Sequence, residues 1–236
     1  MTRTGTIGRL FGHVAEPAVQ LNPQDMERRG LKDGDLVHVT SKRGSIVLPA
    51  QGSRTIQSTQ AFIAMHWGPE YLSGRSSQGE PLAGVNALTT SAYCPTSKQP
   101  ELKHAAVKVL KAELPWTLLG VAWLPEASAL TALTELRALM PSFEFASCVP
   151  FGRERSGVLF RAASTDAPPP AVVDRIETLL CLNTPDALRY VDKRRQQRRT
   201  ARLVRTASNE GDSITLDAFL LAGDTSAEGW IDPAAG

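Results

Sequence analysis

The chain has 236 residues, enough for a sizeable core and for two modest domains, and its 26 Lys+Arg against 24 Asp+Glu leave a net charge of +2, which gives no general reason to expect a nucleic acid or membrane partner. With 42% hydrophobic and 21% charged residues it has the composition of an ordinary soluble globular protein, and its 6% aromatics leave few rings for stacking on bases. Cys94, Cys148 and Cys181 lie far apart without a CxxC pair, which excludes a disulfide framework and zinc or iron-sulfur spacing; no secretory leader is visible, and a reduced, cytoplasmic location is expected.

Thr2-Arg3-Thr4-Gly5 opens the chain with two hydroxyls, a guanidinium fork and a glycine that lets backbone amides approach closely, a set suited to phosphates; the alternative is a frayed terminus. Asn22-Pro23-Gln24-Asp25 then predicts a helix start, with Asn22 capping, Pro23 in the first turn and Asp25 complementing the dipole, and Gly30 ends the helix. Asp33-Gly34 leads into a strand at 36–40, and Lys42-Arg43-Gly44 turns it into a second at 45–50. A further strand at 60–65 makes this half mostly β, and short strands so closely spaced suggest a compact barrel. Residues 85–103 are rich in Thr, Ser and Pro without apolar periodicity; they predict an ordered loop offering Asn86, Lys98, Gln99 and Lys103, an amide for a base or pterin edge and ammonium groups for a pyrophosphate. Plain solvated loop polarity is the alternative.

The pattern changes at Pro115, which places a domain boundary near residue 113 and gives domains 1–112 and 113–236. Beyond it the sequence predicts a strand at 117–124, a helix at 127–140 carrying Leu130, Leu133, Leu136 and Leu139, and strands at 143–149 and 157–162. A helix after Pro168-Pro169-Pro170, with Val172, Val173, Ile176, Leu179 and Leu180 inward, and a strand at 188–191 complete a βαββαβ order, followed by a hairpin at 200–207 and 213–222. The fold class expected is mainly β, then α+β.

No catalytic constellation stands out: His13, His38, His66 and His104 lack local ligand spacing, and no Walker loop, GxSxG elbow or Rossmann fingerprint is present, so the residues alone describe a binding module for something anionic and extended.

The runs NPQDMERRGLKDGDLVHVTSKRGSIVLPA, FIAMHWG, VNALT and SKQPELKHAAVKV resemble the molybdopterin-dinucleotide-binding C-terminal domain of the molybdopterin oxidoreductases, and among these they are most similar to the catalytic subunits of assimilatory nitrate reductases. The resemblance covers residues 1 to about 110. It implies a double-psi β-barrel over a molybdenum bis(molybdopterin guanine dinucleotide) shared with upstream domains; beyond it the βαββαβ order predicts a smaller α/β sandwich of ferredoxin-like order. It further implies cofactor contacts from Thr2, Arg3, Thr4, Gly5, Asn86 and Lys103, with Lys98 and Gln99 in the same loop, and a place near the substrate funnel for His66. Some relatives carry Asp-Pro where this chain has Cys94-Pro95, so a turn-stabilising carboxylate is absent and Cys94 is expected to be a small buried thiol. No metal ligand is expected in this chain. The resemblance also implies that the active-site region and a 4Fe-4S cluster belong to an upstream portion, so that this chain is a fragment or separately encoded part, inactive alone. The seven basic residues from Lys193 to Arg205 would dock an acidic electron donor, a ferredoxin, flavodoxin or flavoprotein subunit, or form a solvated strand face; nucleic acid is not an expected partner. The alternatives are part of a formate dehydrogenase-like oxidoreductase, or a standalone barrel that binds a nucleotide or a protein.

Overall fold

The side chain of Asn22 accepts the Gln24 N–H at 2.9 Å and Pro23 fills the first turn, which starts helix α1 (Pro23–Arg28) as its residues dictate. The computed structural model describes residues 16–65, 67–76, 80–101, 104–151, 155–208 and 211–226, which fall into two compact units, 16–113 and 114–226. At the end of α1, Gly30 (φ +64°) donates to Glu27 O and Leu31 to Met26 O, a Schellman stop. Asp25 does more than face the dipole. It is buried, accepts the Ser58 hydroxyl at 2.9 Å and the Thr59 N–H at 2.6 Å, and so holds Thr59 in the left-handed region (φ +66°), where a β-branched residue is costly.

The Thr59 N–H, then the Ser58 hydroxyl, hold the Asp25 carboxyl below its ordinary 3.8. Its contribution to stability is therefore complete above that ordinary value and is lost as pH falls through the depressed one. Asp25→Asn is expected to flatten the decline of stability in this acid range; urea unfolding of both proteins at about pH 6 and about pH 3 checks it, and an unchanged decline would refute it.

Seven strands follow: β1 (Val19–Leu21), β2 (Leu36–Thr40), β3 (Gly44–Gly52), β4 (Ala61–Ile63), β5 (Ser73–Ser76), β6 (Pro81–Ala83) and β7 (Lys108–Lys111). The path runs β4-β1-β3-β2-β7, with β5 on β3 and β6 on β5. The β2–β3 hairpin pairs Leu36 with Pro49 through Thr40 with Ser45, whereas β1 lies parallel to the end of β3, Val19 opposite Ala50. Val19, Val37, Val39, Ile46 and Leu48 form the core. Among the described residues no sheet closes into a barrel, because the three-residue β4 and the four-residue β7 end the path without pairing with each other.

In the second unit, β8 (Trp116–Trp123), β9 (Phe145–Phe151), β10 (Gly157–Ser164), β11 (Leu188–Asp192), β12 (Gln197–Ser208) and β13 (Gly211–Ala222) form one antiparallel sheet in the order β11-β12-β13-β8-β10-β9. Helices α2 (Glu126–Leu139) and α3 (Pro170–Leu179) supply Leu133, Leu136, Val173 and Ile176 to a core with Leu118, Phe160 and Leu220. β8 reads as one apolar run because Leu118 and Leu119, on opposite faces, are both buried. Three sequence expectations need correction. The inward face of α2 runs through Ala129, Ala132, Leu133 and Leu136, and Leu130 is exposed. The sandwich is not the smaller part, since it spans 114–226 against 16–113 for the first unit. The strand that completes the βαββαβ order is β13, beside β8; the segment at 188–191 is instead the edge strand β11, because the long β12–β13 hairpin lies between it and β8.

The end of α3 repeats the Schellman stop of α1 with Cys181 (φ +54°) in place of glycine: Cys181 donates to Thr178 O at 3.1 Å and Leu182, fully buried, to Glu177 O at 2.8 Å. Cys181→Gly is expected to stabilise the protein by about 1 kcal/mol by relieving the Cβ penalty there, read as a raised urea midpoint; a lowered midpoint would contradict it.

β12 is fastened to α3 by buried Glu177, which accepts from the Thr200 hydroxyl and from Arg198 at 3.2 Å. Opposite Arg202 and Leu203 the pairing of β13 shifts register, and Asp217 there accepts from both Arg202 and Arg155.

Candidate cofactor-binding site

Asn86 sits on a 3-10 turn (Gly84–Leu88) whose Ala87 and Leu88 are buried, which leaves the Asn86 side chain exposed. The turn is moored to Trp67: the Val85 N–H donates to Trp67 O at 3.1 Å, and Gly84 (φ +49°) lies so close that a Cβ there would be 2.9 Å from the Trp67 carbonyl carbon. Trp67 is itself fixed edge-on against Tyr71, ring centroids 5.5 Å apart. The Asn86 carbonyl accepts from the Thr89 hydroxyl at 3.1 Å, and its side-chain amide has no partner among the described residues.

Lys98 and Gln99 share a knuckle at 92–101. Its base is tied by Glu101 N–H to Ala92 O and a bridge between Tyr93 and Pro100, and its tip by Cys94 N–H to Gln99 O and Lys98 N–H to Cys94 O. Lys98 is in the left-handed region (φ +58°), and its Nζ stands 5.4 Å from the Tyr93 ring centroid, a cation–π contact that keeps the ammonium at the surface. The Gln99 side chain is exposed. No hydrogen bond links Asn86 to Lys98 or Gln99 among the described residues. Thr2, Arg3, Thr4, Gly5, His66 and Lys103 lie outside the described residues.

Cys94 is exposed, contrary to the expectation of a buried thiol. Its Sγ accepts the Ser97 N–H at 3.5 Å, the position a carboxylate takes in an Asx turn, so the sulfur serves the turn that Asp-Pro would otherwise stabilise. Hydrogen bonds from Ser97 and Thr96 lower its pKa. Burial pushes the Cys148 thiol up to about 12 and leaves it inert. Among the described residues no three His, Cys, Asp or Glu side chains converge to hold a metal. No helix among them is long and apolar enough to cross a membrane.

The basic run is largely spent within its own unit. Arg198 meets Asp174 and Glu177, Arg202 meets Asp217, Arg199 meets Asp224 at 3.7 Å and Arg195 meets Asp192 at 4.0 Å. Tyr93 and the Gly84–Trp67 mooring escaped the sequence reading; the glycine just before Val-Asn was the available signal.

Exposed amide, ammonium and turn backbone on two well-tied loops make a donor set suited to an anionic, heterocyclic ligand. Residues 1–106 match the family model of the molydopterin dinucleotide binding domain. The relatives that share it include a nitrate reductase of Klebsiella oxytoca, 35% identical over 109 residues (46% of this chain, 12% of the relative), and a nitrate reductase of Symbiobacterium thermophilum, 35% identical over 114 residues (48% and 14%). A third is the F420-dependent formate dehydrogenase subunit alpha of Methanocaldococcus jannaschii, 33% identical over 110 residues (45% and 14%). The chain thus spans only a small fraction of the length of the relatives it matches.

Proposed function

We propose that this chain is the cofactor-binding portion of a molybdenum-dependent nitrate reductase of nitrate assimilation, with residues 1–112 as its dinucleotide-binding domain and 113–236 as an accompanying α+β domain. The observation that carries the reading is the exposed Asn86 amide on a turn moored to Trp67, within the stretch that matches the dinucleotide-binding family. The donor set fits the group: the Asn86 amide pairs with a pterin or guanine edge, and Lys98, Gln99 and Lys103, with Thr2, Arg3, Thr4 and Gly5, bind its phosphates. When bound, molybdenum bis(molybdopterin guanine dinucleotide) supplies the oxygen-atom transfer that converts nitrate to nitrite. This chain's residues hold and orient the pterin and offset its charge, and by the family resemblance His66 would serve near the substrate funnel.

The upstream catalytic portion, bearing the 4Fe-4S cluster, is the first partner, and a ferredoxin, flavodoxin or flavoprotein subunit in the cytoplasm supplies the electrons. The SKQPELKH run and the nitrate reductases among the relatives support nitrate as substrate; a formate dehydrogenase-like enzyme is the second reading, favoured by the relatives of that name. The chain co-produced with an upstream catalytic portion is expected to retain molybdenum and reduce nitrate, and the chain alone to do neither. Asn86→Ala and Lys103→Ala are each expected to lower molybdenum retained after gel filtration by about tenfold, the loss of a charge-assisted or buried hydrogen bond. Undiminished retention in both variants would refute the site, and formate oxidation without nitrate reduction would select the second reading.

A further inference from the structure

A sheet that ends in solvent is ordinarily guarded against stray strands. At one edge of the six-stranded sheet, β9 carries Pro150, which has no N–H to offer. The other edge, β11, has no such guard. It pairs with β12 from Leu188 opposite Ala201 to Asp192 opposite Gln197, and its outer side has no strand partner among the described residues. Leu188, Tyr190 and Val191 are 61%, 54% and 53% exposed, an apolar density unusual for an open edge. The strand's two charged residues do not protect it. Arg189 turns aside to donate to Thr184 O at 2.9 Å and Leu182 O at 2.6 Å, and Asp192 is taken up by the N–H groups of Arg194 and Arg195 in the following turn.

That turn places cations at one end of the edge. Lys193 and Arg194 have no carboxylate partner among the described residues, and Arg195 reaches Asp192 only at 4.0 Å. Asp186, which precedes the opposite end of β11, interacts with Thr184 and then with Arg202 and Arg189. We infer that β11 is a strand-addition site for an extended segment of a partner protein that alternates apolar with acidic residues. Main-chain hydrogen bonds would form along the open side of β11. Leu188 and Tyr190, on one face, would cover the apolar side chains, and Lys193 and Arg194, in the turn at the end of the strand, would meet the acidic side chain that reaches them. The inference concerns the second unit and stands independently of the cofactor reading.

The test is fluorescence anisotropy of the full 236-residue chain with a labelled peptide alternating Val or Leu with Glu, its counterpart with Lys for Glu, and an acidic version N-methylated at alternate backbone nitrogens. The acidic peptide is expected to bind, the basic one at least ~10-fold more weakly, and the N-methylated one at least ~10-fold more weakly because it cannot extend the ladder. Lys193→Glu with Arg194→Glu should weaken the acidic peptide ~10-fold with an unchanged thermal melt. Equal binding of all three peptides, or binding of none, overturns the proposal. So does a dimer in sedimentation velocity that Val191→Lys dissociates, since the edge would then hold a second copy of this chain.

Discussion

Gly84→Ala is expected to destabilise the first unit by about 3 kcal/mol or more, a large effect for one methyl group. Two causes act together. The residue sits at φ +49°, where a Cβ is penalised, and the added carbon would collide with the backbone of Trp67, which cannot swing aside as a flexible side chain could. Trp67 is 3% exposed and locked against Tyr71, so the strain must displace the 3-10 turn or the buried indole. Gly30→Ala supplies the control: it is also left-handed, at φ +64°, but nothing lies within 4 Å of the new carbon, and it should cost only about 1 kcal/mol. Urea unfolding of both variants, followed by tryptophan fluorescence, measures the difference. Equal costs would show that the closeness to Trp67 is unimportant. A Gly84→Ala protein that folds at low temperature should also lose retained cofactor alongside Asn86→Ala, since the same turn presents the amide.

Asp217→Ala is expected to cost about 2–4 kcal/mol, below the range for a fully buried ion pair because Arg155 is half exposed. Asp217 is 7% exposed and accepts from two guanidiniums, of which Arg202 is the more enclosed and also donates to Cys181 O at 2.6 Å. Removing the carboxylate strands the Arg202 charge at the register shift of β13 and loosens the anchor between the hairpin and the end of α3. Arg155→Ala, which leaves the Arg202 pair intact, should cost less than half as much; an equal cost would place the energy in the outer pair. Thermal unfolding of the two variants distinguishes these outcomes.

Where structure rests on neighbouring residues, the sequence was informative. Asn22, Pro23 and Gly30 bound α1 because caps are local chemistry, and Asp33-Gly34 with Lys42-Arg43-Gly44 set the β2–β3 hairpin because turns are too. The strands that were missed carry no such signal. Ser73–Ser76 and Pro81–Ala83 lack both β-branched residues and alternation, and in Lys108–Lys111 only Val109 faces the core. The exchange of β11 for β13 as the closing strand was hidden for another reason: which strand lies beside β8 depends on pairing across about a hundred residues, which no local pattern records. At the site, the chemistry of Lys98 and Gln99 could be read from loop composition, but the position of the Lys98 ammonium over Tyr93 could not. Cys94 was misjudged because thiols are usually buried by type, whereas here the turn decides its place.

The pairing of β7 with β2 has a consequence for the order in which this molecule can be made. Val39 waits for Val109, seventy positions later, so during synthesis one side of β2 stays without its neighbour until the ribosome has released residues 108–111. The stretch that matches the family ends at residue 106, just short of this strand. A piece cut at that limit would carry the recognisable motifs and still leave Val37 and Val39, both fully buried in the finished unit, beside an open seam that invites other chains.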